Sequence, residues 1–250
     1  MLTALIDNKV YFKVFDKTFK ASSHIYSIKN EVTSIEFQNK MTEIDCNLKQ
    51  IKLAIKCNKL LLLNQIHGDI VIDADQINEF DYTRYTGDAS VTTKTGIALT
   101  VLTADCVPLL LSCQQGNIIG AAHCGWKGIY SGVIENLVNI FRIKGVQNIK
   151  AVIGPAIQQS SYEVDQQFYE RLINKRKDYR IFFAASKILN KYIFDLPQFV
   201  KQKLEELDIS DILVINDDTY ALPEKYPSHR RKMHQGIINT QHILSTILIK

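Results

Sequence analysis

The spacing of apolar residues changes repeatedly along the chain, and each change marks a different element. Runs of aliphatic, aromatic and β-branched residues at 10–15, 34–37, 60–64, 70–72, 89–92, 97–111, 118–123, 149–153 and 212–215 predict strands. Apolar positions recur at helical spacing in 46–57 (Leu48, Ile51, Ile55), 129–141 (Ile129, Val133, Leu137, Phe141) and 161–174 (Val164, Phe168, Leu172). A further helix is expected over 199–207, introduced by Pro197. The polar stretch 73–95, punctuated by Gly87 and Asp88, reads as a long connection into strand 89–92, and 212–215 is the last clear strand. Strands alternating with helices predict an α/β or α+β fold with a mixed sheet. One domain over 1–250 is expected, with 1–57 its least informative part.

Two of these runs carry unusual residues. The segment 97–111 is nearly continuous in apolar residues and predicts one central strand covered on both faces. Alternation sets Leu102, Ala104 and Cys106 against Val101, Thr103 and Asp105. Asp105 is the anomaly there, because a buried carboxylate must be paired, hydrogen-bonded or protonated. In 118–123 the same alternation groups Ile119, Ala121 and His123 and turns Cys124 away from His123.

Composition narrows the class. With 22% charged and 46% hydrophobic residues the chain fits ordinary globular proteins rather than disordered or membrane ones, and no apolar run approaches a membrane span. The N-terminal stretch is interrupted by Asp7, Lys9 and Lys13 and lacks the pattern of a secretory signal, so a cytoplasmic location is expected. Five cysteines, an odd number with no CxxC pair, argue for free thiols in a reducing compartment. A net charge of +4 favours anionic ligands, but the short basic groups at 175–177 and 230–232 are too sparse for a nucleic-acid footprint. A small-molecule substrate is expected, without nucleic acid or membrane, and the oligomeric state is left open.

Chemistry concentrates in three pieces: 65–68, 104–106 and 118–128. If the first two fold onto the third, His67, Cys106 and His123 form a two-histidine, one-cysteine cluster that suits zinc and leaves a coordination position open. Zinc is favoured over copper, since six histidines are too few for a multicopper oxidase. His123 lies just before the helix at 129–141, whose N-terminus favours an anion, and Lys127 would add a full positive charge there.

These pieces also resemble a known family. His67 within NQIHG, Cys106 within LTADCVPLLL and His123 within AAHCGWKG are similar to the signature of the polyphenol oxidase/laccase-domain, or YfiH-like, proteins. The likeness covers 60–153 and extends more thinly to Arg231 through IGPAIQQSSYEVD, FDLP and SHRRK. It implies a layered sandwich with a metal pocket at one edge, and zinc-dependent purine nucleoside chemistry. That chemistry is phosphorolysis of adenosine, inosine or methylthioadenosine, with deamination of adenosine. His67, Cys106 and His123 would hold the metal, with Cys106 and His123 at the centre of catalysis. Asp88 matches an acidic position of the family pattern and would orient a ligating imidazole, and Asp105 lies beside Cys106. Ser228, Arg230 and Arg231 remain from the family's ending and, with Lys127, are expected to bind substrate and phosphate.

The chain departs from the family in several places. No segment of the form F-(S/T)-x-R-x-G-G is present, and residues 21–24 stand roughly in its place without arginine or glycine. Ala156, Gln158 and Gln159 occur where cysteines are common, Asp218 replaces a usual cysteine, and Ile237 a usual arginine. Two other functions are therefore kept. One is a cysteine-histidine amide hydrolase, including editing of peptidoglycan precursors, in which a Cys106 thiolate paired with His123 attacks an amide. The other is a protein that retains metal and nucleoside binding but has lost turnover.

Overall fold

The structure is a computed structural model that describes residues 2–5, 9–19, 34–80, 85–237 and 241–250. In chain order the strands are β1 (Leu2–Leu5), β2 (Val10–Phe15), β3 (Lys59–Leu61), β4 (Val71–Asp73), β5 (Ala89–Thr92), β6 (Ile97–Thr103) and β7 (Val107–Cys113). They continue as β8 (Ile119–Cys124), β9 (Ile149–Ile153), β10 (Glu163–Asp165), β11 (Phe183–Ala185), β12 (Lys191–Phe194), β13 (Asp211–Val214) and β14 (Ile243–Ile249). The α-helices are α1 (Ser34–Ile55), α2 (Trp126–Ser131), α3 (Val133–Ile143), α4 (Gln166–Lys175), α5 (Leu196–Glu205) and α6 (His229–Gln235).

Two large mixed sheets stack face to face. The five-stranded sheet runs β1-β2-β14-β6-β3 and the six-stranded sheet runs β13-β9-β7-β8-β5-β4, while β10, β12 and β11 form a small third sheet. Phe12, Val14, Leu99, Val101 and Ile247 of the first sheet meet Leu110, Ile119, Ala121 and Val152 of the second in one buried layer. The outer face of the first sheet, through Ala98, Leu244 and Leu248, is covered by Ile51 and Ile55 of α1. Helices α3 and α5 cover the outer face of the second, where Leu109, Leu111, Ala122 and Cys124 pack. The result is an α–β–β–α sandwich, the mixed-sheet class the sequence predicts. Gly120 lets α3 lie directly on β8, since a Cβ there would stand 2.9 Å from the Phe141 ring.

The interior of several predicted elements differs. Segment 97–111 is two strands, β6 and β7, that belong to different sheets. The break falls at 104–106, where Asp105 has a φ of +89°. Each half is buried on both faces, so continuous hydrophobicity masked the turn. Residues 34–37, expected as a strand, begin α1. The helix expected over 129–141 is split at Gly132, whose φ of +112° ends α2. Over 161–174 the chain first forms β10, and α4 starts only where the Asp165 carboxylate accepts the Phe168 N–H. The last strand is β14, not 212–215: it is wholly buried and lies in the middle of the five-stranded sheet between β2 and β6.

Candidate metal centre

Each of the three donors comes from a different connection or strand end. His123 is on β8 and shares its face with Ile119 and Ala121, directed into the layer between the sheets, whereas Cys124 packs under the helices. Cys106 is carried by the turn that crosses from β6 in one sheet to β7 in the other. His67 sits after β3 with a φ of +60°, in the left-handed region. The donor atoms of His67, Cys106 and His123 all lie within 4.8 Å of one another. Cys106 Sγ is 3.9 Å from His67 Nε2, and the two imidazole rings meet edge to face at 4.6 Å between centroids.

Local hydrogen bonding explains why His67 reaches this place. The Gln65 amide both donates to the Leu102 carbonyl at 2.8 Å and accepts the Leu102 N–H at 2.9 Å, so a side chain fastens the loop to β6. Asp88, fully buried, accepts the backbone N–H groups of Ile66, His67 and Gly68 at 3.1, 2.9 and 2.8 Å. Its Oδ1 is also 2.8 Å from His123 Nδ1, and its backbone carbonyl accepts the His123 N–H at 2.7 Å. Asp88 thus holds both the backbone around His67 and the His123 ring by hydrogen bonds. Burial pushes its carboxyl up, but the His123 contact and the loop N–H groups outweigh that and hold it below the usual range.

Cys106 and His123 perturb each other. Burial alone would raise the Cys106 thiol, but the His123 charge and hydrogen bond, helped by His67, lower it to about 6. Burial opposes the imidazolium of His123, yet Cys106 and Asp88 raise it to about 9. A thiolate–imidazolium pair is the metal-free state this geometry favours. Cys124, packed in apolar surroundings, is raised well above the ordinary thiol value. All five cysteines are free thiols.

The other expected residues have distinct surroundings. Asp105 is buried and satisfied: it accepts Thr219 Oγ1 at 2.7 Å and the Arg230 N–H at 2.6 Å, tying the Cys106 turn to α6. The Arg230 guanidinium donates to the Glu163 carbonyl and lies 5.0 Å over the Tyr162 ring. Burial, with the Cys106 charge, pushes the Tyr162 phenol well up. Sequence reasoning named neither Tyr162 nor Thr219. The SYEVD match held the tyrosine in view, but a threonine 114 residues from its aspartate leaves no signal. Lys127 is exposed, its ammonium 5.8 Å over Trp126. Ser228 caps α6 by accepting the Arg231 N–H, and the Arg231 guanidinium donates to the carbonyls of Thr219, Tyr220 and Tyr226. Residues 21–24 lie outside the described residues.

The donor chemistry fits a metal ion. Two imidazoles and a low-pKa thiol converge, one imidazole has its second nitrogen on a carboxylate, and Gly125 keeps the space clear. A Cβ at Gly125 would stand 2.8 Å from His67 Cδ2 and 3.1 Å from Cys106 Sγ.

Comparison with known proteins agrees with the motifs. The model of the family described as multi-copper polyphenol oxidoreductase laccase matches residues 13–249. The chain belongs to this family. A Rickettsia conorii relative named purine nucleoside phosphorylase is 45% identical over 249 residues, 100% of both chains. Another of that name, YfiH of Escherichia coli, is 31% identical over 179 residues, covering 72% of this chain and 71% of its own. Among solved structures, a Neisseria meningitidis protein of the DUF152 family shares the fold with a TM-score of 0.79 at 21% identity, covering 100% of this chain and 98% of its own. YfiH of Bacillus licheniformis has a TM-score of 0.75 at 25% identity, covering 84% and 82%. Among the described residues of this laccase-family chain, no helix is long and apolar enough to cross a membrane.

Proposed function

We propose that the chain is a zinc-dependent purine nucleoside phosphorylase that also deaminates adenosine. The observation that carries this reading is the convergence of His67, Cys106 and His123 within 4.8 Å. It occurs in a chain 45% identical, end to end, with a protein named for phosphorolysis. Zinc held by these three residues would supply a Lewis acid with an open position for substrate.

The chain's own groups account for the rest. Asp88 accepts the Nδ1 proton of His123, which fixes the tautomer and leaves Nε2 facing the cluster. Arg230 is anchored through its backbone to Asp105 and through its guanidinium to Glu163, so its charge is held beside the Cys106 turn, where it suits an anion. Lys127 adds an exposed positive charge on the first turn after Gly125. In phosphorolysis a phosphate oxygen bonds to ribose C1′ as the C1′–N9 bond breaks. The base leaves with a proton, and a ribose 1-phosphate remains. In deamination, water oxygen replaces the C6 amine, which leaves as ammonia.

Incubating zinc-loaded protein with inosine or adenosine, with and without phosphate, tests the reading by chromatography of base and nucleoside. Phosphate-dependent release of hypoxanthine, lost in His67→Ala, is expected. Zinc-loaded protein that consumes neither nucleoside overturns it.

A second reading, the cysteine-histidine amide hydrolase, is favoured by one observation: Cys106, His123 and Asp88 stand in the order nucleophile, base and orienting carboxylate. Amide hydrolysis that survives chelation and disappears on alkylation of Cys106 would select it. Zinc and nucleoside binding without product would instead select the protein that has lost turnover.

A further inference from the structure

Cys106 reaches His67 and His123 from a turn whose backbone does not hold its shape by itself. Asp105, the residue before it, has a φ of +89°, beyond the small left-handed region of roughly +50 to +70° that L residues tolerate. Such a conformation costs free energy and persists only where the surroundings over-determine it.

The surroundings here are three hydrogen bonds from three separate segments. Asp105 Oδ1 accepts the Thr219 hydroxyl at 2.7 Å, Oδ2 accepts the Arg230 N–H at 2.6 Å, and the main-chain carbonyl accepts the Ile157 N–H at 3.0 Å. Two of these donors are backbone groups. The Thr219 hydroxyl alone is a side chain, so it alone places a requirement on residue type. Thr219 is itself fixed: it is fully buried, its N–H donates to the Ala156 carbonyl at 3.1 Å, and its carbonyl accepts the Arg231 guanidinium at 2.8 Å.

Direction matters because the tolerance is small. Zinc takes a thiolate at about 2.3 Å and an imidazole at about 2.0 Å, and the supporting residues must hold such donors to within about 0.5 Å. Relaxation of the Asp105 φ toward the ordinary negative region would turn the peptide that follows it. The Cys106 Cβ would swing with that peptide and carry Sγ off its 3.9 Å approach to His67 Nε2.

We propose that Thr219 is a positioning residue of the metal centre: through the Asp105 carboxylate it holds the strained turn that points the Cys106 thiol at His67 and His123. The assignment rests on the zinc-binding part of the proposed function and not on the nucleoside reaction.

Competition with a chelator compares the zinc affinity of the parent with that of Thr219→Val, which keeps the side-chain shape and removes the hydroxyl. Affinity of the folded variant should fall about tenfold or more, and the thiolate-to-metal charge-transfer band of cobalt(II)-loaded protein should weaken or shift. Thr219→Ser keeps the hydroxyl and loses a buried methyl, so it should restore both readouts while its melting temperature stays below the parent's. A threonine with a merely structural role predicts a lower melting temperature in Thr219→Val with parental zinc affinity and an unchanged cobalt band, and that result overturns the proposal. If Thr219→Val does not fold, Asp105→Asn replaces it. Asparagine tolerates positive φ but offers one acceptor oxygen to the two donors, so the same loss is expected and parental affinity overturns the proposal equally. Parent protein that binds neither zinc nor cobalt removes the metal centre and the proposal together. Metal binding without nucleoside turnover, with the loss in Thr219→Val intact, removes only the reaction and leaves the role of Thr219 standing.

Discussion

His123 Nδ1 lies 2.8 Å from Asp88 Oδ1, on the carboxylate that also receives the N–H groups of Ile66, His67 and Gly68. One buried acid therefore sets both the tautomer of one imidazole and the loop conformation of the other. The two histidines are 56 residues apart in sequence and are fixed together by a residue between them.

Replacing Asp88 by alanine should leave those four donors without their acceptor, the buried His123 ring among them. A loss of about 3 kcal/mol in stability is expected, together with a roughly 10–100-fold loss of zinc affinity. Urea unfolding and competition with a zinc chelator measure the two. Unchanged zinc affinity would show that His67 and His123 are positioned without Asp88.

The Cys106–His123 pair makes a prediction for metal-stripped protein. The Cys106 thiol is lowered to about 6 from an ordinary 9.0, so the unfolded chain keeps a proton the folded chain has released, and stability rises with pH across that window. His123 is raised to about 9 from 6.5, so the folded chain keeps a proton the unfolded chain has lost, and stability falls with pH across nearly the same window. Each slope alone approaches about 1.4 kcal/mol per pH unit, and together they should cancel. The urea midpoint should therefore carry no contribution from this pair between those values. Alkylation of Cys106, followed by mass spectrometry, should reach half its maximal rate near the lower value while buried Cys124 stays unmodified. Half-maximal alkylation near the ordinary thiol value would contradict the ion pair.

Gly125→Ala tests the space around the donors. The glycine's φ of −76° suits alanine, so backbone strain is not introduced, but the new methyl would press on His67 and Cys106. Zinc affinity should fall by about tenfold or more with the fold retained. A variant that binds zinc like the parent would show that the loop yields without cost.

Arg231 and Arg230, neighbours in sequence, should respond differently. Arg231→Ala removes donors from three backbone carbonyls and should cost about 2–3 kcal/mol of stability, and lysine should restore little because it lacks the planar fork. Arg230→Ala should mainly raise the KM for phosphate, leaving zinc content unchanged. Equal loss of stability in both variants, with no kinetic difference, would refute this division.

The legible parts of the site were those written in short local patterns. Period-2 alternation in β8 was enough to place His123 and Cys124 on opposite faces, and the residue types at 67, 106 and 123 were enough to bring these three side chains together as one cluster. Asp105 was flagged because a carboxylate in an apolar run demands a partner, and the partners turned out to be Thr219 and a backbone N–H 125 residues away. Residues 97–111 were misread as one strand because burial on both faces looks the same whichever sheet provides it.

The sequence by itself determined the mixed α/β class, the grouping of His67, Cys106 and His123, the family and the free thiols, since composition, motif and alternation are local properties of a chain. Only the tertiary structure decided that the turn at Asp105 passes the chain from one sheet to the other and that β14 enters the middle of the first sheet. It also decided that Arg231 clamps carbonyls while Arg230 faces Tyr162. The physical reason is that apolar periodicity reports how deeply a segment is buried, whereas hydrogen-bond partners far apart in sequence are chosen only when the layers come together.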